Sequence, residues 1–430
     1  MKRRSVFAAV VCLALLAAMP QLIGKLHSQS AQEAPTGYKT PTLTSNPGSQ
    51  SVSNGMPQPA NDTFQEDQAT FEEEDGMDKG LGPIYNARSC SECHQNPVTG
   101  GGSQVAELRV GHNNRSGVFV NPSILINDGA MTVPNRSLVN DRSICAEAQE
   151  RVPSSETIHT FRMSLPVLGD GFVEAIPDST LAALAAQERA MSNGRIHGEA
   201  IRVPVGEAPG KTAVGRFGWK DQHASLLSFA ADAYVNEQGI TSRLNPVDST
   251  TMCKTTTDPE DATDATTNMA DIDHFAQFMR ATLAPPVDAT LMASADAQSG
   301  QKIFNQIGCA MCHTPSILTA PVGTVVNGGA FTVPDALGNK IIHPYSDFLL
   351  HNVGTGDGIV QNGPADTANK VRTPPLWGLR TRDRLMHDGL SSTRENAIAR
   401  HRNEAAAVVS NYNRLSARQR SQLLTFLNSL

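Results

Sequence analysis

The pattern Cys-x-x-Cys-His occurs twice in this chain, at residues 90–94 and again at residues 309–313. On one helical turn, two cysteines three residues apart reach the two vinyl groups at one edge of a haem, and the adjacent histidine lies under the ring as an iron ligand. A zinc site or a thioredoxin-like redox pair is the alternative, but zinc knuckles need no adjacent histidine and a redox pair belongs in a βαβ context. The repeated motif therefore predicts two covalently bound haem c groups. The expected attachment and ligand residues are Cys90, Cys93, His94, Cys309, Cys312 and His313.

The residues before the second motif support this interpretation. Gly300, Phe304 and Gly308 precede Cys309 at helical spacing. A glycine at position 300 lets another helix approach closely, and Gly308 allows the turn into the motif. Phe304 is expected to pack against the haem edge, and the terminal helix with Phe426 is the natural partner for the close approach. These are features of a cytochrome c domain.

The N-terminus carries the pattern of an export signal. Lys2, Arg3 and Arg4 precede an apolar run over residues 6–19, as in a secretory signal peptide. The run is long enough that an uncleaved membrane anchor stays open as an alternative. Residues 1–26 are therefore predicted to be a signal peptide or N-terminal anchor. We expect a periplasmic protein, attached to a membrane only if this segment is retained.

Composition excludes one class of partner. The 430 residues include 35 basic and 42 acidic side chains, which gives a net charge of -7, and only 5% of residues are aromatic. Nucleic-acid binding needs a basic face, and single strands need aromatic stacking platforms. We therefore expect no nucleic acid as a partner.

The organisation of the remaining chain follows from composition and periodicity. Residues 27–62 contain almost no large apolar side chain, which predicts a disordered linker. Beyond it, helices are expected near residues 64–75, 178–185 (with Asp178 as cap), 225–237, 272–283, 296–307 and 416–430, and a hairpin within residues 320–333. Alternating strands look scarce. The prediction is a mainly α fold of two cytochrome c-like haem domains with long irregular loops, an N-terminal one over residues 63–270 and a C-terminal one over residues 271–430.

Cys145 and Cys253 remain after the haem cysteines and Cys12 of the N-terminal apolar run are set aside. An even remainder in an exported protein predicts one disulfide. Two unpaired buried thiols are the alternative.

Several further segments resemble the bacterial di-haem cytochrome c peroxidase superfamily, and within it the di-haem oxidoreductase branch. The resemblance covers about residues 63–430. Its carriers are GLGP at residues 80–83 with the first CxxCH, GRFGWK at 215–220, DFLLH at 347–351, RTPPLWGL at 372–379, MHDG at 386–389, and the positions Ala397, Ile398 and His401.

The resemblance implies a second axial ligand for the C-terminal haem at His401, in the helix that follows MHDG. Family members place Met or Tyr there, so His401 is a departure, and an iron with two histidines has a lower potential than one with His and Met. Met386 and His351 are weaker candidates, and a surface histidine is the plain alternative for His401.

For the N-terminal haem, the resemblance implies a displaceable distal ligand at His112, although an open site fits equally well. Trp219 resembles the tryptophan between the two haems, with Trp377 as a substitute. Glu237 corresponds to the distal acid that moves a proton between the peroxide oxygens. Ordinary core packing for either tryptophan, and a solvated side chain for Glu237, are the alternatives.

The function implied is a periplasmic di-haem c-type peroxidase that reduces hydrogen peroxide or another small oxidant. Electrons would come from a small cytochrome or cupredoxin, and the acidic net charge favours a basic donor. The alternatives are a di-haem enzyme that oxidises a protein or organic substrate, and a non-catalytic electron-transfer cytochrome. The family also implies a calcium ion between the domains, to which acidic residues within 347–357 can contribute.

Overall fold

The structure is a computed structural model that describes residues 30–39, 51–256 and 260–430. Residues Gln32–Leu430 form one compact unit. The predicted signal or anchor at residues 1–26 lies outside the described residues. Among the helices of the described ranges, none is both long enough and apolar enough to cross a membrane.

The helices that periodicity predicts are present. In chain order the α-helices are α1 (Phe64–Glu72), α2 (Asp170–Glu174), α3 (Asp178–Met191), α4 (Leu226–Ala233), α5 (Asp271–Ala281), α6 (Ala289–Met292), α7 (Ala295–Ile307), α8 (Arg394–Arg400), α9 (Ala406–Asn413) and α10 (Ala417–Leu427). Thr63, Ser225 and Ser416 cap α1, α4 and α10, because each hydroxyl accepts a bond from the backbone N–H three residues on. Helix α4 continues in the wider turn Tyr234–Gln238, which ends at Gly239 with a φ of 72°.

The predicted cap of α3 is wrong. The residue before the helix is Pro177, and the Asp178 side chain does not cap the helix. Its carboxylate instead accepts a bond from the backbone N–H of Val214 at 3.0 Å and pairs with Arg202 and Arg216. Asp178 therefore joins the helix to the neighbouring strand.

The strands are short and form several small sheets. They are β1 (Gln32–Glu33), β2 (Ile84–Tyr85), β3 (Ala106–Asn113), β4 (Phe119–Val120), β5 (Ser123–Ile126), β6 (Met131–Pro134), β7 (Leu138–Val139), β8 (Arg142–Ser143), β9 (Ile158–Met163), β10 (Arg202–Pro204), β11 (Thr212–Val214), β12 (Ile317–Leu318), β13 (Val325–Val326), β14 (Phe331–Thr332), β15 (Lys340–Ile342), β16 (Leu350–His351) and β17 (Val371–Arg372). The longest pairing is antiparallel, from Ala106↔Met163 to Gly111↔Ile158 between β3 and β9. The predicted hairpin is formed by β13 and β14.

The prediction of a mainly α fold is therefore wrong. Helical turns of all kinds make up 32% of the described residues and strands 17%. Strand β3 does alternate, with Leu108 and Val110 on an apolar face and Glu107 and Arg109 on the other, so its pattern was present in the sequence but was not predicted as a strand. On β9 the pattern was hidden, because the buried side chain is the charged Arg162, which pairs with Asp357. Most other strands have two or three residues, too few to show an alternating pattern.

The described parts of the predicted linker are attached to the compact unit by main-chain bonds. Strand β1 pairs parallel with β15, with Gln32 opposite Lys340. Ser53 pairs with Thr282, and the Asn54 N–H donates to the Ala281 carbonyl at 2.7 Å. Backbone bonding orders such a segment without large apolar side chains. A disordered linker is therefore not the structure of these two stretches.

Two parts of the molecule repeat one arrangement, which we call the first and second modules. In the first, α1 packs across α5, and the ring of Phe71 lies 6.2 Å from that of His94. In the second, α7 packs across α10, and the ring of Phe304 lies 6.3 Å from that of His313. Helix α5 thus belongs with α1, which favours a domain boundary after Ala281; the boundary at residue 270 remains a prediction.

Close packing in the second module confirms the expectation for Gly300. A Cβ at this position would clash with the Gln422 carbonyl of α10 and touch Phe426. The Phe426 ring stacks edge-on against Phe304 at 5.4 Å. Glycine is therefore required where α7 and α10 cross.

The predicted disulfide is present. Cys145 and Cys253 are bonded, with their Cα atoms 6.5 Å apart. The bridge joins the segment after β8 to the irregular stretch that precedes α5. It therefore fastens a poorly packed loop to the first module.

Candidate haem sites

Each CxxCH motif forms a single tight helical turn. The His94 N–H donates to the Cys90 carbonyl at 3.0 Å, and the His313 N–H donates to the Cys309 carbonyl at the same distance. Both cysteines and the histidine of a motif therefore share one turn, as thioether attachment to one haem edge requires.

The four motif cysteines are unpaired and mostly shielded from solvent. Burial raises the pKa of Cys93 and of Cys309 to about 12, and that of Cys312 to about 11. Reactive redox thiols need the opposite shift, toward a stable thiolate. The thiols are thus held neutral, which disfavours the redox-pair alternative.

A large cavity lies beside the second motif. It holds about 1700 Å³ of space not filled by protein atoms, counting the part open to solvent. Cys309, Cys312, His313 and His401 all line it, together with the apolar side chains Leu376, Leu379, Leu385, Ile398, Val408, Leu423 and Leu427.

Two histidines in this cavity are prepared for metal ligation. Nδ1 of His313 donates to the Tyr345 carbonyl at 3.0 Å, and Nδ1 of His401 donates to the Ala397 carbonyl at 2.7 Å. This tautomer leaves the electron pair of each Nε2 free. Burial, and then His401, lower the pKa of His313 to about 4, and burial lowers the pKa of His401 as well. Both rings are therefore neutral.

The substitute ligands fare differently. Met386 lines the cavity, as His351 does. However, Nε2 of His351 lies 3.0 Å from the Asp347 carboxylate and Nδ1 lies 2.9 Å from that of Glu404. With both nitrogens engaged, His351 is not available to a metal.

Buried arginines supply a test of whether the cavity fits a haem. Arg382 and Arg394 line it, and Nε of each is buried without a hydrogen-bond partner in the described chain. Burial, and then Arg372, lower the pKa of Arg382 to about 10. A buried cation without a counter-charge is costly, and a haem carries two anionic propionates. The thiols, the imidazoles and these cations therefore fit a haem.

The residues of the first motif are all half-buried. Nδ1 of His94 is buried, and burial lowers the pKa of His94 to about 4. It lies beside the backbone of Gly101 and Leu165, but Nδ1 makes no hydrogen bond of good geometry within the described residues. His94 is thus a neutral, poorly satisfied imidazole, as a metal ligand would be before loading.

A pair of carboxyl groups lies beside this motif. Glu237 and Glu107 both raise the pKa of the Cys93 thiol, after burial. Burial, and then Glu107, raise the pKa of Glu237 to about 8, and Nδ2 of Asn86 donates to its Oε2 at 2.7 Å. The sequence therefore indicated Glu237 but missed Glu107, whose only signal was an acid on a strand face shared with Arg109.

The two carboxyl groups differ in charge at neutral pH. Burial would raise the pKa of Glu107, but Arg109 outweighs it and lowers that pKa. The Arg109 guanidinium donates two bonds to the Glu107 carboxylate, at 3.0 and 2.9 Å. Near pH 7 the pair consequently holds one proton, on Glu237.

The structure does not bring His112 to the first motif. Side chains alternate between the two faces of a strand, so His112 of β3 lies on the face opposite to Glu107 and Arg109. Its Nδ1 bonds the Glu156 carboxylate at 2.8 Å, and Val110 on the same face belongs to a separate apolar cluster. None of the described contacts of His112 reaches the first motif, and its role as distal ligand stays a prediction.

Trp219 lies between the surroundings of the two motifs. Its indole N–H donates to the Met163 carbonyl at 2.7 Å, and its ring lines the large cavity. Ser164 and Leu165, which follow Met163 in the chain, contact Cys93 and His94. Trp377 is also buried, but it is not part of the cavity lining.

The acidic residues proposed for calcium are engaged elsewhere. Asp357 pairs with Arg162 at 2.7 Å and with Lys220 at 3.4 Å, and Asp347 bonds His351. Both ends of the 347–357 segment are thus neutralised by side chains of this chain and offer no free carboxylate to a cation.

Comparisons with known proteins agree with this site. A family model described as "Di-haem oxidoreductase, putative peroxidase" matches residues 137–430, a range that includes the second CxxCH motif but not the first. No curated protein is significantly similar to the chain in sequence.

Three solved structures show a distant likeness. Hydrazine synthase of Kuenenia stuttgartiensis is 12% identical, with 96% of this chain and 100% of that chain covered and a TM-score of 0.40. A MauG-like protein associated with microbial copper homeostasis is 13% identical, with 87% and 93% covered and a TM-score of 0.37. A variant of the diheme peroxidase BthA from Burkholderia thailandensis is 14% identical, with 92% and 94% covered and a TM-score of 0.35.

The family assignment thus rests on the sequence match over most of the chain, and the paired CxxCH modules are consistent with it. This chain belongs to the di-haem oxidoreductase family and is a peroxidase-like enzyme that uses two haem groups.

Proposed function

We propose that this enzyme is a periplasmic peroxidase that reduces hydrogen peroxide with electrons from a small redox protein. The observation that carries the proposal is the Glu107–Glu237 pair beside the first motif. A site that cleaves an O–O bond must both accept and donate a proton, and carboxyl groups with separated pKa values do so.

The residues that would hold the two groups are those of the motifs. Cys90 and Cys93 would attach one haem covalently with His94 as ligand, and Cys309 and Cys312 the other. His313 and His401 would hold the iron of the second haem through their free Nε2 atoms. When bound, the haem groups supply the one-electron redox chemistry and the iron that binds peroxide.

The carboxyl pair would manage protons at the first site. Glu107 is ionised and can accept a proton from the near oxygen of peroxide, while protonated Glu237 can donate one to the far oxygen. The pair ends this exchange with its net charge unchanged. Arg109 holds the Glu107 carboxylate in place, and Asn86 orients that of Glu237.

The second site would accept electrons rather than substrate, because both of its histidines are prepared as ligands. Trp219 would lie between the two sites. Its indole is held in place by the hydrogen bond that it donates to the Met163 carbonyl. Location in the periplasm is supported by the Cys145–Cys253 disulfide, since such bonds persist in oxidising compartments, and by the signal pattern of residues 2–19.

The test is Glu237→Gln in holoprotein made with covalent haem, assayed with peroxide and a small uncharged reductant. We expect turnover to fall about 10²–10⁴-fold, the usual contribution of a positioned proton donor. Wild-type turnover should also fall as pH rises through about 8, where Glu237 loses its proton. That limb should be absent from the variant.

Glu74→Gln is the matched control, because Glu74 is exposed and pairs only with Arg88. An E237Q variant that keeps wild-type turnover would refute the role of the pair. A wild-type protein whose haem spectrum does not change with peroxide would indicate an electron-transfer cytochrome. A wild-type protein that turns over only with an organic substrate in place of the reductant would indicate a di-haem enzyme that oxidises such a substrate.

A further inference from the structure

Charge is distributed unevenly along the chain. The whole sequence has a net charge of -7, yet residues 372–430 contain ten arginines, no lysine and only four acidic residues. Two of those four acids are already engaged, since Asp388 pairs with Arg400 and Glu404 bonds His351. Five of the ten arginines are engaged as well, Arg400 by Asp388 and four in the lining of the large cavity (Arg372, Arg382, Arg384 and Arg394). The remaining five arginines still outnumber the two remaining acids, so this segment has a net positive charge within an acidic protein.

A shallow surface pocket lies in this basic part. It is lined by His401, Arg402, Ala406, Val409, Asn413 and Arg414, among others. His401 and Val409 also line the large cavity beside the second motif. This pocket is consequently a short route from the surface to the proposed second axial ligand.

The arginines at its edge are not used by the fold. Arg402 and Arg414 are exposed, and neither forms an ion pair among the residues that the structure describes. Arg414 makes only one side-chain bond, to the Ser410 hydroxyl at 3.3 Å. Their charge is therefore available to a partner.

We propose that the pocket around His401 is the docking site for the electron donor, and that the donor presents an acidic surface. This inference rests on the proposed function and makes it more specific. An apolar centre formed by Ala406 and Val409, with charged residues at its rim, is the usual construction of a protein interface.

The proposal reverses the expectation from net charge. A charge summed over the whole chain favours a basic donor, but steering depends on the potential at the docking face, which falls off over about 10 Å at 0.1 M salt. Arg402 and Arg414 place two positive charges at the rim of this pocket, so a basic donor would be repelled where it must bind.

The electron count sets how the face is used. Reduction of one hydrogen peroxide to two waters consumes two electrons and two protons. A single-metal cytochrome or cupredoxin loses one electron when it is oxidised, so two donors must dock and leave in each turnover. Rapid, salt-sensitive association suits that use better than tight binding.

The test uses holoprotein and two probes, an acidic cupredoxin (plastocyanin) and a basic mitochondrial cytochrome c. Without peroxide, stopped-flow absorbance follows electron transfer between the holoprotein and each probe, in the direction that their reduction potentials favour. The result therefore does not depend on peroxidase activity. The variants are Arg414→Glu and the double variant R402E/R414E. Arg115→Glu, on the exposed turn between β3 and β4, makes the same charge change elsewhere.

We expect the second-order rate constant with plastocyanin to fall about tenfold in R414E and further in the double variant. The rate constant with plastocyanin should also fall as salt is added. The rate constant with cytochrome c should rise in both charge-reversal variants. R115E should behave as wild type. An unchanged haem spectrum of R414E shows that the His401 site is intact.

Two outcomes would overturn the proposal. The first is a wild-type protein that exchanges electrons faster with cytochrome c than with plastocyanin at low salt. The second is an R115E variant that loses as much rate as R414E, since total charge would then explain the effect. Failure of the proposed function is seen separately, as absence of peroxide turnover with a small uncharged reductant.

Discussion

The two CxxCH sites share their local structure and differ in what lies around it. In both, a helix that carries a phenylalanine precedes the motif, and a later helix packs across that first helix. Cys93 is accompanied by the carboxyl groups of Glu107 and Glu237, whereas His313 is accompanied by a second imidazole, that of His401. The same CxxCH turn is thus placed once beside two carboxyl groups and once beside a second imidazole.

The difference teaches that function in this enzyme is set by the neighbours of the motif and not by the motif. A carboxyl pair that holds one proton is suited to reaction with peroxide. Two neutral imidazoles in a mostly apolar cavity suit an iron that only gains and loses electrons. In the proposed function, the same turn therefore serves two chemical roles.

The largest expected effect comes from removing each attachment site in turn. The double variants C90A/C93A and C309A/C312A should each carry one haem where the wild type carries two, as measured by intact-protein mass. The first should lose peroxide turnover and keep a low-spin ferric signal, because the second site is untouched. The C309A/C312A variant should keep the high-spin ferric signal that we expect from the iron at the first motif. Two haems in either variant would contradict covalent attachment at that motif.

A smaller change tests the ligands themselves. His401→Ala should convert the second iron from low to high spin, because the free imidazole that fills its sixth position is gone. Electron paramagnetic resonance of the ferric protein measures this directly. His112→Ala is the control and should leave both signals unchanged, since His112 faces away from the first motif. An H401A spectrum like that of the wild type would remove the ligand assignment.

The smallest effect tests what holds the first site together. The disulfide closes a loop of 108 residues in the first module, and the Cys145→Ser/Cys253→Ser variant should lose about 2–4 kcal/mol of unfolding free energy. Urea unfolding followed by circular dichroism gives this value. The high-spin haem band should change at lower urea than the low-spin band. Equal loss at both sites would show that the two modules unfold as one.

Much of the local secondary structure was predictable, because it depends on residues that are close together in the sequence. The tight turns of the two motifs, the helices α1, α4, α5, α7 and α10, and the glycine at the α7–α10 crossing all follow from short spacings. The disulfide followed from counting, since only two cysteines remained for each other.

The errors lie where contacts join distant parts of the chain. Glu107 meets Glu237 across 130 positions. Strand β3 itself alternates, with Leu108 and Val110 on one face, but the sequence does not show which side chains its charged face would meet. His112 has a suitable place along the chain, but none of its described contacts reaches the first motif. The expectation of a basic donor stays a prediction, and the acidic donor proposed above is its alternative.

By itself the sequence determined that this protein carries two CxxCH turns and the helices that support them, because spacing along one helical turn decides which side chains share it. Only the tertiary structure decided that one turn would meet carboxyl groups and the other a histidine. Burial and the pairing of remote strands and helices control those encounters, and through them the pKa values and free ligand atoms on which the two sites depend.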